Sequence, residues 1–197
     1  MQDKDALLIV DVQNDFCPGG ALAVADGDKV VSPLNRYIER FEKSRLPIFA
    51  TRDWHPEKTR HFKAYGGLWP PHCIQGTKGA EFRADLNLAR GTSIVSKGTA
   101  ADEDSYSGFD GRDDRGATLA ELLRARGVER IFVGGLATDY CVKHTALDGL
   151  KQGFHVVLLE DAARAVNLQP GDGERAISAM VQAGAEKISG VENLPKD

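Results

Sequence analysis

The chain has 197 residues, of which 42% are hydrophobic and 27% charged, and its formal net charge is −4. This length and composition are typical of one globular domain with a sizeable hydrophobic core, and we expect residues 1–197 to form a single domain. The mildly acidic balance, with no run of basic residues, argues against nucleic acid or an anionic membrane as the main partner. Small molecules and proteins remain as possible binding partners.

The N-terminal segment has a short apolar run between acidic residues, in place of the charged and hydrophobic regions of a signal peptide. The sequence has no apolar stretch of membrane-spanning length. Its three cysteines, Cys17, Cys73 and Cys141, are few, odd in number and widely spaced, which favours a reducing compartment over a disulfide framework. We therefore expect a cytoplasmic protein.

Five short apolar runs rich in Val and Ile have the length of strands buried on both faces, and in chain order they lie at 6–10, 48–51, 93–96, 131–133 and 156–159. Helical patterns occupy 34–42, 119–123 ahead of Gly127, 141–150 ahead of Gly153, and 176–181. This alternation predicts an α/β fold, a doubly wound, mostly parallel sheet with helices on both faces. Residues 53–92 form a long irregular segment, and such segments are often functional.

Polar residues follow the predicted strands at the edge where such sheets bind ligands, outside the carboxyl ends of the strands. The first strand ends at Asp11, the second at Asp53 with His55 beyond it, and the third at Lys97. The fourth leads into a glycine-rich turn that ends at Cys141. We therefore expect these five side chains to meet at one edge of the sheet.

Cys141 is a candidate nucleophile because it opens a predicted helix, with Thr138 or Asp139 as the N-cap. The helix dipole and a nearby cation, Lys97, would lower the pKa of the thiol below its usual value of roughly 8.5. Asp11 supplies a carboxylate that could pass protons when a thiol attacks an amide and ammonia leaves. Alternatively, Cys141 is a small buried hydrophobic residue, as free cysteines often are.

His144 is a rival base for a cysteine–histidine pair, because it lies three residues after Cys141. On a helix that begins near Cys141, however, its side chain would lie further along the helix, away from the strand ends. We therefore interpret His144 as a partly buried structural residue.

The irregular segment contains a candidate metal site made of Asp53, His55, His61 and His72. Two neutral imidazoles and a carboxylate form a common shell for a divalent metal such as zinc, iron or manganese. Asp53 and His55 alternate on extended backbone, so both side chains would point to one side. The alternative is a solvated loop without a metal, since one Asp-x-His pair by itself is a weak signal.

Dinucleotide binding is common in this fold class but finds no support here. The sequence after the first strand, DVQNDFCPGG, is not a glycine fingerprint that opens a helix, and GGLATDYC lacks the required glycine spacing. The acidic residue at the end of the first strand would also repel a pyrophosphate.

Six separated motifs, in order along nearly the whole chain, resemble those of the isochorismatase-like cysteine hydrolases. They are DVQNDF at 11–16, DWH at 53–55, WPPHC at 69–73, SKGT at 96–99, YSGF at 106–109 and GLATDYCV at 135–142. The metal segment makes the sequence similar to the nicotinamidase/pyrazinamidase branch of that family.

The resemblance implies a catalytic triad of Asp11, Lys97 and Cys141. It also implies an oxyanion hole formed by the N–H groups of Ala137 and Cys141, with a non-proline cis peptide bond between Leu136 and Ala137. A cis bond of this kind costs about 3 kcal/mol and persists at functional sites.

The resemblance further implies that Asp53, His55 and His72 bind one divalent metal ion, for which zinc is the first choice and iron or manganese the alternatives. His61 would bind the ion directly or through water, because branches of the family differ at this position.

By the same resemblance, Phe16, Trp69 and Tyr106 would line a pocket for a flat heteroaromatic ring. Each could pack in the core instead, but the polar and proline-rich sequence around Trp69 and Tyr106 favours the pocket. The implied activity is hydrolysis of nicotinamide, and of pyrazinamide, through a thioester on Cys141 in NAD salvage, with the metal holding the pyridine nitrogen.

Three other functions remain open at this point. An isochorismatase would use water where this sequence has Cys141, and a metal-free N-carbamoyl amidohydrolase would not need His55 and His72. A binding protein without catalysis could share the same fold. The oligomeric state also stays open, with a homo-oligomer among the possibilities.

Overall fold

The computed structural model describes residues 1–104 and 106–195. Within them, six parallel strands form one sheet in the order β3-β2-β1-β4-β5-β6. The strands are β1 (Asp5–Val10), β2 (Ile48–Asp53), β3 (Ser93–Lys97), β4 (Arg130–Leu136), β5 (His155–Arg164) and β6 (Glu186–Ile188). The α-helices are α1 (Val31–Lys43), α2 (Leu119–Ala125), α3 (Lys143–Lys151) and α4 (Asp172–Gln182). The predicted doubly wound α/β fold is confirmed.

Helices cover both faces of the sheet, and the alternation of side chains along β1 divides the core into two clusters. Leu7 and Ile9 pack with residues of α1 such as Leu34, whereas Leu8 and Val10 pack with residues of α2, α3 and α4. All four of these β1 side chains are fully buried. A strand that is apolar on both faces is what helices on both sides of a parallel sheet require.

The five predicted strands lie inside β1 to β5. Burial on both faces holds for β1 but is wrong for β3, which is partly exposed because it lies at the edge of the sheet. Strand β6 was not predicted, because Glu186–Ile188 has three residues and only the last is apolar.

Two helices end at glycines that follow the predicted helical patterns. Gly127 and Gly153 each follow the residue after the last turn of α2 or α3, and their φ angles are +67° and +89°. Glycine adopts these left-handed angles without steric cost. No helix in the described ranges is both long enough and apolar enough to cross a membrane.

The order of the strands reverses between β1 and β4, and this is the point where doubly wound sheets bind ligands. The chain runs outward from β1 through β2 to β3, and then returns to place β4 on the other side of β1. At the end of β4, Gly135 has a φ of +127°, and a Cβ there would lie 2.0 Å from the Val10 carbonyl oxygen. Glycine at this position therefore lets the ends of β1 and β4 come together, which positions Asp11 beside the turn that carries Cys141.

The segment predicted to be irregular follows β2 and has short 3-10 turns between its bends. Isolated β-bridges from His55 to Ile74 and from Phe62 to Trp69 fold the segment back on itself. These bridges bring histidines that are distant in sequence to the carboxyl end of the sheet.

Candidate active site

Asp11, Lys97 and Cys141 meet at the carboxyl ends of β1, β3 and β4. The Lys97 Nζ lies 2.9 Å from Asp11 Oδ2 and 3.4 Å from Cys141 Sγ. The second oxygen of Asp11 accepts a hydrogen bond of 2.7 Å from the Thr51 hydroxyl. All three predicted residues are buried, so the structure brings together a thiol, a carboxylate and an ammonium group away from bulk water.

Cys141 lies on a π-helical turn, Thr138–Val142, that precedes α3. The N–H groups of Tyr140 and Val142 both donate to the Ala137 carbonyl, at 3.0 and 3.1 Å. The predicted helix start at Cys141 is therefore two residues early, because this wider turn, closed by the bond from the Val142 N–H to the Ala137 carbonyl, precedes the first turn of α-helix. π-helical turns of this kind are frequent at functional sites.

The predicted N-cap by Thr138 or Asp139 is wrong, since neither side chain caps this turn. Asp139 instead accepts hydrogen bonds from the N–H groups of Val166 and Asn167, at 2.9 and 2.8 Å. The carboxylate thus ties the segment after β5 to the turn that carries the thiol.

The charge state of the site differs from the sequence-based expectation. Burial raises the pKa of the Cys141 thiol well above its usual value, Lys97 opposes this shift, and the carboxylates of Asp11 and Asp53 reinforce it. Burial also raises the pKa of Asp11. Burial would lower the pKa of Lys97, but the two carboxylates raise it well above its usual value. The Cys141 thiol is hydrogen-bonded to Asp11 and lies beside the Lys97 ammonium group.

The four predicted metal ligands form a second group beside the first. One ring nitrogen from each of His55, His61 and His72 lies within 4.8 Å of the others. Asp53 Oδ2 is 3.6 Å from His55 Nε2 and 3.7 Å from His72 Nε2, and its other oxygen contacts Lys97. Asp53 therefore joins the histidines to the group of Asp11, Lys97 and Cys141. Burial alone would raise the pKa of Asp53, but Lys97 and the two histidines hold it well below the usual range.

Hydrogen bonds fix which nitrogen two of the histidines direct inward. His55 Nδ1 donates to the Gly98 carbonyl at 3.0 Å, and His72 Nδ1 donates to the Pro70 carbonyl at 2.8 Å. A carbonyl can only accept, so Nδ1 is the donor in both rings, and the Nε2 atom is the one that can offer a lone pair to a metal ion. His55 Nε2 is buried without a hydrogen-bond partner among the described residues. A buried, unpaired nitrogen beside a carboxylate fits a divalent metal ion, which would satisfy both.

Phe16, Trp69 and Tyr106 line a pocket that opens over Cys141, as do the Asp53, His61 and His72 side chains. Trp69 Nε1 donates to the Tyr106 hydroxyl at 3.0 Å. Phe16 packs against the His72 ring, with centroids 5.4 Å apart. The three predicted aromatic residues thus lie next to both the thiol and the metal ligands.

The predicted oxyanion-hole residues lie in the same pocket. The peptide bond between Leu136 and Ala137 is cis, in agreement with the sequence-based expectation, and Ala137 and Cys141 both line the pocket.

Among the described residues that line this pocket, His144 is absent. Its ring stacks on Tyr106, with centroids 5.3 Å apart and an interplanar angle of 23°. The structural interpretation of His144 agrees with this position, behind a pocket wall.

Several residues of the site escaped the sequence reasoning. Tyr140 lines the pocket and packs edge-on against Trp69, with centroids 4.9 Å apart. Gln13 holds Asp53 through both backbone groups, because its Oε1 accepts from the Asp53 N–H at 2.8 Å and its Nε2 donates to the carbonyl at 2.7 Å. Asp15 accepts from the Cys73 N–H at 2.7 Å. Gln13 and Asp15 belong to the DVQNDF motif, and this membership was the one feature of the sequence that could have indicated their place in the site.

A family model for the isochorismatase domain matches residues 5–191. The chain belongs to the isochorismatase family. Within this family, the nicotinamidase of Escherichia coli strain K12 is 39% identical over 91% of this chain and 92% of that protein. The match to the nicotinamidase/pyrazinamidase branch is thereby confirmed.

Solved structures of the isochorismatase family support the same relationship. The pyrazinamidase of Pyrococcus horikoshii in complex with zinc is 46% identical, with a TM-score of 0.87 over 94% of this chain and 99% of that one. The PnC1 protein of L. infantum in complex with nicotinate is 38% identical, with a TM-score of 0.85 over 96% of this chain and 94% of that one.

Proposed function

We propose that this protein is a metal-dependent nicotinamidase, which hydrolyses nicotinamide to nicotinate and ammonia in NAD salvage, and that pyrazinamide is a second substrate. One observation carries the proposal. Asp53 joins a buried thiol, carboxylate and ammonium group to a cluster of three histidines within one aromatic pocket. The nicotinamidase relatives and the zinc- and nicotinate-bound neighbours support the same reading.

In the first step, the Cys141 sulfur attacks the carboxamide carbon while the thiol proton passes to Asp11. The raised pKa of Asp11 makes it a better base for this transfer. The N–H groups of Ala137 and Cys141 donate to the oxygen on which negative charge develops. Because the proton leaves during the attack, no free thiolate has to exist next to two carboxylates.

In the second step, Asp11 returns the proton to the amide nitrogen, the carbon–nitrogen bond breaks, and ammonia leaves a thioester on Cys141. Asp11 is then ionised again. It takes a proton from a water molecule while the oxygen of that water attacks the thioester carbon. Asp11 then passes that proton to the Cys141 sulfur as the carbon–sulfur bond breaks. This step regenerates the thiol and releases nicotinic acid, which ionises to nicotinate in water. The Lys97 ammonium stays charged throughout and offsets the carboxylate of Asp11.

Asp53, His55 and His72 would hold the divalent ion, with His61 as a further ligand. When bound, the ion would supply a Lewis acid for the pyridine nitrogen of the substrate. We propose zinc, which a pyrazinamidase neighbour contains, while iron and manganese also suit these donors.

The aromatic residues orient the substrate ring. Phe16, Trp69 and Tyr106 form walls that contact a flat heteroaromatic ring on its faces and edges. Trp69 is held in place from two sides, by its hydrogen bond to Tyr106 and by the edge-on contact with Tyr140. Orientation of this kind places the carboxamide over the Cys141 sulfur.

The main rival is a metal-free N-carbamoyl amidohydrolase, which would share the triad. Such an enzyme would have no use for four buried metal-type donors, and the buried His55 Nε2 would remain unsatisfied at a cost of about 1–3 kcal/mol. An isochorismatase would not need the Cys141 thiol, and a binding protein would not need Lys97 between two carboxylates. The geometry therefore favours the nicotinamidase.

We further propose that residues 1–197 act as one domain in the cytoplasm. The family match over residues 5–191 supports the single domain. The three free cysteines among the described residues support a reducing compartment.

An ammonia-release assay over a small panel of amides tests the proposal, with the metal content measured on the same sample. Nicotinamide and pyrazinamide should release ammonia, and N-carbamoyl amino acids should not. Release from the N-carbamoyl compounds alone would favour the rival enzyme, and no release from any amide would favour a binding protein.

A further inference from the structure

His61 differs from the other two histidines in the group that holds it. His55 and His72 donate from Nδ1 to backbone carbonyls, whereas His61 Nδ1 pairs with the carboxylate of Asp104. A carboxylate behind an imidazole fixes the ring orientation and increases the basicity of its other nitrogen. Nothing in the six motifs pointed to Asp104.

Asp104 belongs to a compact turn that follows β3, which we call the 98–104 turn. Glu103 Oε2 accepts hydrogen bonds from the N–H groups of Thr99 and Ala100, at 2.9 and 3.2 Å. The N–H of Arg60 donates to the Ala101 carbonyl at 2.9 Å, which ties the turn to the chain immediately before the histidine. The carboxylate is therefore held in place by a braced segment.

The same turn orients a second histidine. The Gly98 carbonyl accepts the His55 Nδ1 hydrogen bond, and a Cβ at Gly98, where φ is +62°, would lie 2.4 Å from His55 Cε1. The turn thus supports two of the three imidazoles through their outer nitrogens, one with a carbonyl and one with a carboxylate.

Charge balance gives Asp104 a second effect. The formal charges of Asp11, Asp53 and Lys97 sum to minus one, which leaves one positive charge uncompensated when a dication binds. The carboxylate of Asp104, behind His61, supplies the negative charge that compensates it. Asp104 is half exposed whereas His61 is buried, so the carboxylate can be changed without opening the core.

We propose that Asp104 is a positioning residue for metal binding, which orients His61 as a direct ligand and raises the affinity of the site for a divalent cation. The proposal rests on the metal site proposed above.

Zinc affinity, measured by competition with a chelator of known affinity, tests the proposal without reference to turnover. Asp104→Asn keeps the shape and an oxygen acceptor but removes the charge, and it should raise the zinc Kd about 10–100-fold. Asp102→Asn removes the same charge from an exposed position two residues earlier and should change the Kd less than about twofold, because solvent screens it. An unchanged Kd in Asp104→Asn, or an equal rise in both variants, would overturn the proposal.

A second pair of variants shows whether Asp104 acts through His61. In a His61→Ala background, where zinc binding is already weaker, adding Asp104→Asn should raise the Kd much less than it does in the wild-type protein, because the group that it orients is gone and only the weaker effect of its charge remains. A full effect in that background would contradict the positioning role. Thermal melting of each variant reports whether it folds. Wild-type protein that binds no zinc would instead refute the metal site itself, and with it the proposed function.

Discussion

The buried ammonium group of Lys97 contacts two carboxylates, those of Asp11 and Asp53, and lies 3.4 Å from the Cys141 sulfur. At the scale of single residues, the positive charge of Lys97 stabilises two carboxylates and a thiol that are buried side by side. Its charge does not make the thiol acidic, because burial and the carboxylates outweigh it. In the mechanism that we propose, the nucleophile is therefore activated by proton transfer to Asp11 during the attack.

Cys141→Ala should abolish nicotinamide turnover, with kcat reduced at least about 10³-fold, because the covalent intermediate cannot form. The fold should persist, with the free energy of unfolding changed by about 1 kcal/mol, since the thiol contributes little packing. Steady-state kinetics and urea unfolding measure the two quantities. Cys17→Ala, which changes another buried cysteine away from the pocket, should remain active. A Cys141→Ala enzyme with a tenth of the wild-type rate would rule out the covalent route.

Lys97→Met should shift the pH dependence of Cys141 alkylation to higher pH, because it removes the charge that opposes the raised pKa of the thiol. It should also destabilise the fold by about 3–5 kcal/mol, because two buried carboxylates lose their partner. Iodoacetamide labelling across pH and urea unfolding provide the measurements. The control is Lys187→Met, which removes a surface ion pair with Glu160 and should change neither result by much. An unchanged alkylation profile would remove Lys97 from its assigned role.

The residues of the proposed active site could be predicted because each lies at a strand end or in a motif. The supporting residues were not, because their partners are distant in sequence. Asp139 was expected to cap a helix but binds the backbone at Val166 and Asn167, and Asp104 reaches His61 across more than 40 residues. The raised pKa of Cys141 depends on burial, which no local pattern reveals.

At the scale of elements, the site depends on how closely the ends of β1 and β4 approach each other. Gly135 permits that approach, since any side chain there would collide with the Val10 carbonyl. The strand order that makes β1 and β4 neighbours follows from long-range packing, so the sequence predicted the strands and their parallel class without their order. The short strand β6 and the π-helical turn before α3 were not predicted for a local reason. Each has only three to five residues, which are too few to show a periodic pattern.

Gly135→Ala should destabilise the protein by about 3 kcal/mol or more, because it combines a forbidden backbone angle with a severe steric clash. Urea unfolding with an unchanged m-value measures the loss. Gly153→Ala is the matched control: its φ is also positive, but the added Cβ meets no other atom within 4 Å, so it should cost about 1 kcal/mol. Equal losses in the two variants would show that the approach of β1 and β4 is not tight.

At the scale of the whole molecule, most of the hydrophobic core lies on the strands and helices, whereas the four predicted metal ligands lie at the end of β2 and in the irregular segment after it. The two regions meet at Phe16, which belongs to the core and packs against His72. The stability of the fold therefore comes from burial of apolar side chains on the two faces of the sheet.

Removal of the metal by a chelator should consequently abolish turnover while the protein remains folded at 25 °C. Circular dichroism should keep its native shape, and added zinc should restore activity. Unfolding on chelation would make the site structural, whereas full activity in a verified metal-free sample would show that the ion has no part in the reaction.

The central claim is that the pocket recognises a pyridine carboxamide and cleaves its amide, and kcat/KM for nicotinamide against benzamide tests it most directly. The two amides have the same shape, but benzamide has a C–H where nicotinamide has the ring nitrogen. A buried site built for that nitrogen should reject benzamide by about 10⁴-fold. Picolinamide, whose ring nitrogen is adjacent to the carboxamide, should have a kcat/KM almost as low as that of benzamide. Asp53→Ala should reduce the difference between the substrates, because it lowers kcat/KM for nicotinamide. A kcat/KM for benzamide comparable to that for nicotinamide in the wild-type enzyme would contradict the account.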